Sequence, residues 1–63
     1  MKRESLLKYG MKVFNNETDK FSNWLLRPNK ALADRKPNDL LETLEGRLEV
    51  KNILDKIEYG IFN

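Results

Sequence analysis

Residues 47–61 set Val50, Ile53, Leu54, Ile57 and Ile61 along one stripe, while Lys51, Asn52, Asp55, Lys56 and Glu58 occupy the other side. Apolar residues recurring at three and four positions are the signature of an amphipathic helix, whereas a strand would alternate. Such a helix has little stability alone in water and must cover its apolar face. The rest of the chain is 63 residues minus this segment, so the cover must come from other short elements or from a partner. A domain of this size removes only ~60% of its unfolded surface from water and is marginal without a staple or association.

Those other elements also read as helices. Residues 4–14, "ESLLKYGMKVF", place Leu7, Met11 and Phe14 at helical spacing, widened by Leu6 and Val13. Gly10 lies inside this helix at a cost of about 1 kcal/mol against alanine, which predicts a close helix contact there. "NNETD" breaks the pattern, with Asn16 expected as an N-cap and Glu17 and Asp19 suiting a helix start. A second helix is expected over 17–27 with Phe21, Trp24 and Leu25 facing inward. Pro28 ends it by disfavouring the helical conformation at Arg27. The connector "PNKALADRKP" then offers Asn29 as the cap of a single turn, with Leu32 as a core anchor. Pro37 suits the first position of a third helix over 37–45 presenting Leu40, Leu41 and Leu44. Gly46 is expected to end that helix in the left-handed conformation, and the last helix to run over about 47–59. Trp24, Leu25, Leu32, Leu40, Leu41, Ile53 and Ile57 are assigned to the core, and Pro28, Asn29, Pro37 and Gly46 to turns and caps. The expected fold is all-α, a compact small bundle of about four helices in one domain spanning 1–63.

The chemistry such a chain can perform is narrow. It has no cysteine and no histidine, which removes disulfides, zinc-finger ligand sets, thiol nucleophiles and the usual general base. Glu42/Glu45, Glu45/Glu49 and Asp55/Glu58 are carboxylate pairs at helical spacing, each fitting a solvated face. Gly10, Gly46 and Gly60 are isolated, so no phosphate-binding loop is present, and Ser5 and Ser22 lack a histidine partner. The reading is of a non-enzyme with no metal and no cofactor of its own. No apolar run approaches the ~18 residues of a membrane span, no signal-peptide core follows Met1-Lys2-Arg3, and the expected location is the cytoplasm.

Charge is divided along the chain. Residues 1–36 hold nine Lys/Arg against four Asp/Glu, a balance of +5, and residues 37–63 hold three against six, a balance of −3. Two different neighbours, or two solvated faces, would both account for it. A helix-turn-helix with its turn at Glu45-Gly46 is one alternative. Its second helix, opening Arg47, Leu48, Glu49, Val50, is too acidic to be drawn to phosphates, and nucleic acid is an unlikely partner for the chain alone. Homodimerisation is another, through residues 1–16 with Leu6, Met11 and Phe14.

Three segments carry a resemblance: "FSNWLLRPNKAL" (21–32), "KPNDLLETLEG" (36–46) and "VKNILDKIEYGIF" (50–62). In order they give a Trp24-Leu25 pair, a Pro28-Asn29-x-x-Leu32 turn, a Pro37-led helix with Leu40-Leu41 and Thr43, Gly46, and an Ile57-Glu58-Tyr59-Gly60 tail. "KVFNN" at 12–16 looks like the Val-Phe-Gly-Asp opening of the same pattern. Together these resemble the toxin-binding domain of the Xre/MbcA/ParS antitoxin family. Two departures stand out: Ala33-Asp34 where relatives commonly have a glycine, and Lys36 where they have a capping serine. Full-length relatives often carry an N-terminal DNA-binding domain, for which 1–63 leaves no room, so no operator-binding role is carried over.

The resemblance implies a cognate toxin partner of the RES type, which consumes or transfers parts of NAD. It further implies neutralisation by the antitoxin's C-terminal end at the toxin's NAD entrance. The residues expected to bind toxin are Glu58, Tyr59, Gly60, Ile61, Phe62 and Asn63. Tyr59 and Phe62 are aromatic anchors of the kind that dominate interfaces. Glu58 and a carboxylate at Asn63 would complement an electropositive NAD pocket. The competing expectation is purely structural: Phe62 folds back on the first helix beside Leu7 and Met11.

Overall fold

The computed structural model describes residues 1–60 and contains three α-helices joined by two 3-10 segments. Helix α1 spans Arg3–Val13, α2 spans Thr18–Leu26 and α3 spans Leu44–Tyr59. One 3-10 turn covers Lys30–Leu32, and a 3-10 helix covers Pro37–Glu42. The fold is a small all-α bundle. The fourth helix foreseen from Pro37 is present in 3-10 form, and it is shorter than its leucine spacing suggests.

The α1–α2 corner differs from expectation in its capping. Asn15 and Asn16 both adopt positive φ, 55° and 61°, and the Asn16 N–H donates to the Met11 carbonyl at 2.7 Å. That six-to-one bond closes α1. Asn16 therefore ends the first helix and does not cap the second, whose N-cap is Glu17 with no side-chain cap bond. The reason is conformational: asparagine is one of the few residues besides glycine that reach the left-handed region at low cost. At the other end of α2, Arg27 is extended (φ −100°, ψ 143°), as a residue before proline must be.

Asn29 caps the following turn as expected, its side-chain oxygen accepting from the Ala31 N–H at 2.9 Å. Its own N–H donates to the Arg35 carbonyl at 3.1 Å and its carbonyl accepts from Asp34 at 2.9 Å. The loop is thereby pinned at its neck, and Leu32 drops into the interior at 3% exposure.

The largest revision concerns Gly46. The Pro37 helix stops at Glu42 because Thr43 is extended (φ −119°, ψ 156°) and becomes the N-cap of α3. Its Oγ1 accepts from the Gly46 N–H at 3.0 Å. Gly46 is thus a buried residue in the first turn of α3, in ordinary helical conformation. A Cβ there would fall on the Leu40 backbone carbonyl, so glycine is required by close approach and not by a left-handed cap. The same break carries Leu44 outward to 46% exposure, where the sequence reading had it facing inward. It also removes the supposed interhelical turn at Glu45-Gly46, which lies within α3.

The core is built on Leu6, Phe21, Leu41, Val50 and Leu54, all buried. Trp24, Leu25 and Leu40 are half-buried and pack against it, and Ile53 and Ile57 are also half-buried. Phe14, Phe21 and Trp24 form an aromatic group with ring centroids 5.3 to 6.2 Å apart. Gly10 lets α2 approach α1, since a methyl there would land on the Phe21 ring. Leu6 is fully buried and belongs to the chain's own core, so the proposed self-association through 1–16 loses that residue.

Candidate functional site

Helix α3 opens on the Thr43 cap and closes on Gly60, whose φ of 66° is left-handed. The Gly60 N–H donates to the Ile57 carbonyl at 3.4 Å, ending the helix. Nothing lies within 4 Å of a Cβ built on Gly60, so its role is conformational alone. Of the expected toxin-binding residues, Glu58, Tyr59 and Gly60 stand together and exposed at this end. Tyr59 is 70% exposed, the most exposed large hydrophobic side chain among the described residues. Ile61, Phe62 and Asn63 lie outside the described residues, as does the competing fold-back of Phe62.

What holds this end in place was not legible beforehand. The Tyr9 hydroxyl on α1 donates to Asp55 Oδ1 on α3 at 2.5 Å. Lys51, one turn earlier on α3, donates from Nζ to Asp55 Oδ2 at 2.8 Å, and its ammonium sits 5.8 Å from the Tyr9 ring centroid. The Lys51 and Tyr9 hydrogen bonds hold the Asp55 carboxyl below its ordinary pKa. The accepting Asp55 carboxylate, with partial burial, pushes the Tyr9 phenol well above its own. Lys51 and Asp55 carried an i,i+4 signal that resembles any solvated pair. Tyr9 lies 46 positions away, and nothing in the sequence links it to them.

At the other end of α3, Arg47 donates from Nη1 to the Leu41 carbonyl at 2.8 Å and from Nε to the Met1 carbonyl at 2.9 Å. The contacts Met1–Arg47 and Tyr9–Asp55 advance eight residues on both strands of the pairing, so α1 and α3 run parallel.

A second surface feature lies on α2. An open groove of about 410 Å³ has Phe14, Trp24 and Pro28 as its apolar walls, Lys20 and Arg27 at its edges, and Asn23 and Asn29 completing it. Among the described residues no group of three or more carboxylates converges to hold a metal ion, and no helix is long and apolar enough to cross a membrane.

Comparison with known proteins agrees with this arrangement of motifs. A family model for the antitoxin Xre/MbcA/ParS C-terminal toxin-binding domain matches residues 10–60. Antitoxin Xre of Photorhabdus laumondii is 34% identical over 56 residues, covering 89% of this chain and 38% of the relative. Antitoxin Xre of Yersinia enterocolitica is 37% identical over 51 residues, covering 81% and 34%. A Sphingobium protein named Prs ADP-ribosylating antitoxin is 41% identical over 54 residues, covering 76% and 34%. The chain thus spans little more than a third of the length of these curated relatives. No solved structure matches. The matched segment takes in Gly10, the α2 aromatics, the Asn29 turn, the Pro37 helix and all of α3. This chain belongs to the Xre/MbcA/ParS family of antitoxin C-terminal toxin-binding domains.

Proposed function

We propose that residues 1–63 act as a single toxin-binding domain that neutralises a RES-type, NAD-consuming toxin by setting residues 58–63 in the toxin's active-site entrance. The observation that carries this is the end of α3: an exposed Glu58-Tyr59-Gly60 step on a 16-residue helix that is braced from α1. A segment launched from a braced helix loses less conformational freedom on docking than one launched from a loop, and that saving appears as affinity. The left-handed Gly60 cap ends the helix within the proposed contact segment. Glu58 and Tyr59 supply a charge and an aromatic surface; Ile61, Phe62 and Asn63 supply the remainder of the segment. The mode of action is steric, and no covalent chemistry is required of the chain.

The test is truncation after Tyr59, read in two assays. The shortened protein is expected to melt within a few degrees of the full chain while losing inhibition of NAD consumption by the toxin. A large fall in melting temperature would instead assign the segment to the chain's own fold. Glu58→Lys is expected to weaken the complex and reduce its sensitivity to salt; indifference of the complex to both salt and charge reversal would exclude an electropositive entrance.

A further inference from the structure

We infer that the α2 groove is a second contact surface for the same toxin, receiving a short acidic segment of that protein with an apolar or aromatic residue against Trp24. The inference rests on the toxin-binding reading above and extends it to a face formed by other elements.

The lining carries two cations and no carboxylate. Arg27 makes no ion pair among the described residues, and Lys20 is held only by Glu17 at 3.3 Å with both side chains largely exposed. Trp24 is half-buried, its ring packed against Phe14 and Phe21, and with Phe14 it supplies the aromatic part of the groove lining. Tryptophan and arginine are the residues most enriched at interface hot spots. Part of the lining is preformed: Pro28 has its φ locked by the ring, and Asn29 is held by its cap bond to Ala31 and by its pairing with Arg35. Little ordering remains to be done on binding.

The character of the occupant follows from shape and charge. An open groove suits a peptide lying across it, where a small molecule would be left largely in water. A nucleic acid strand is disfavoured because the lining offers only Lys20 and Arg27, too few cations to follow a run of phosphates. A short acidic peptide needs only the two cations at the groove's edges.

Trp24 is the chain's single tryptophan, so 5-fluorotryptophan incorporated into the full chain gives one 19F NMR resonance, from a residue that lines this groove. Added in excess, a catalytically inactive RES-type toxin is expected to shift the Trp24 resonance. Lys20→Glu combined with Arg27→Glu is expected to raise the Kd of the complex about tenfold or more, with melting temperature unchanged, since both side chains are exposed. An unshifted resonance in a complex that does form, or a Kd within twofold for the double variant, overturns the inference. So does an equal shift caused by duplex DNA at the same salt. If truncation after Tyr59 abolishes inhibition while the fluorine signal stays unmoved, the groove inference falls and the tail reading stands. If the wild-type chain forms no complex with the toxin, both fall together.

Discussion

Ala33 and Asp34 hold positive φ values of 57° and 64°, in the left-handed region that favours glycine. A left-handed residue with a Cβ costs roughly 1–2 kcal/mol, and glycine returns part of that as unfolded-state entropy. Ala33→Gly is therefore expected to stabilise the fold by about 0.5–1 kcal/mol, checked by urea denaturation, with no effect on residues outside the loop. Gly46→Ala has the opposite sign. Its methyl meets the Leu40 backbone carbonyl, which cannot swing aside as a flexible side chain would. A loss of about 1–3 kcal/mol is expected in the same measurement, by overpacking and by displacing the Pro37 helix from α3. Sequence reading succeeded at Gly10, where a close helix contact was expected, and misplaced Gly46. A glycine after a leucine-rich run usually marks a helix end, and its neighbour's carbonyl is invisible until the chain is folded. At Ala33 the strain was signalled only as a departure from a pattern, with no geometry attached.

The relation of α1 to α3 governs the next scale. Tyr9→Phe removes the cross-helix bond to Asp55 while leaving the ring in place. A cost of about 1 kcal/mol is expected, which lowers the melting temperature of a domain this small by about 4–8 °C. The pH dependence follows from the same contact. Asp55 titrates below its ordinary value in the folded state, so the stabilisation is complete above the unfolded value of about 3.9 and is lost as pH falls through the folded one. The gap in melting temperature between wild type and Asp55→Asn should be full at pH 6 and narrow below about pH 4. Tyr9, raised in the folded state, contributes with the opposite dependence, complete below about pH 10 and lost as pH rises beyond it. The existence of α1, α2 and α3 was legible because each has an apolar stripe long enough to count. The Thr43 break was not, since Leu40, Leu41 and Leu44 continue a helical spacing across it. A threonine with an acidic residue two positions on is an N-terminal signal that could have been weighed against that spacing.

At the scale of the whole molecule, the interior is small and its polar braces are few. Among the described residues, Leu6, Phe21, Leu32, Leu41, Val50 and Leu54 are buried, together with Pro37. The leucines, Phe21 and Val50 all come from positions that the helical stripes and the Asn29 turn assign inward. Leu41 lies on the 3-10 element, where the stripe held even though the helix type did not. The candidate site divides in the same way. Exposure of Glu58, Tyr59 and Gly60 followed from an amphipathic helix running out of partners, whereas the brace behind them and the groove on α2 depend on contacts between distant segments.

Arg47 binds the Met1 carbonyl beside the start of α3, while Tyr59 lies at the far end of a helix rising 1.5 Å per residue. The two poles of the molecule are thus about 20 Å apart, with the leading end of the chain anchored at one and the exposed tyrosine at the other. An affinity handle or fluorescent reporter spliced ahead of Met1 will project from the pole remote from Tyr59, leaving that tip unencumbered. The same appendage fused behind Asn63 would crowd it.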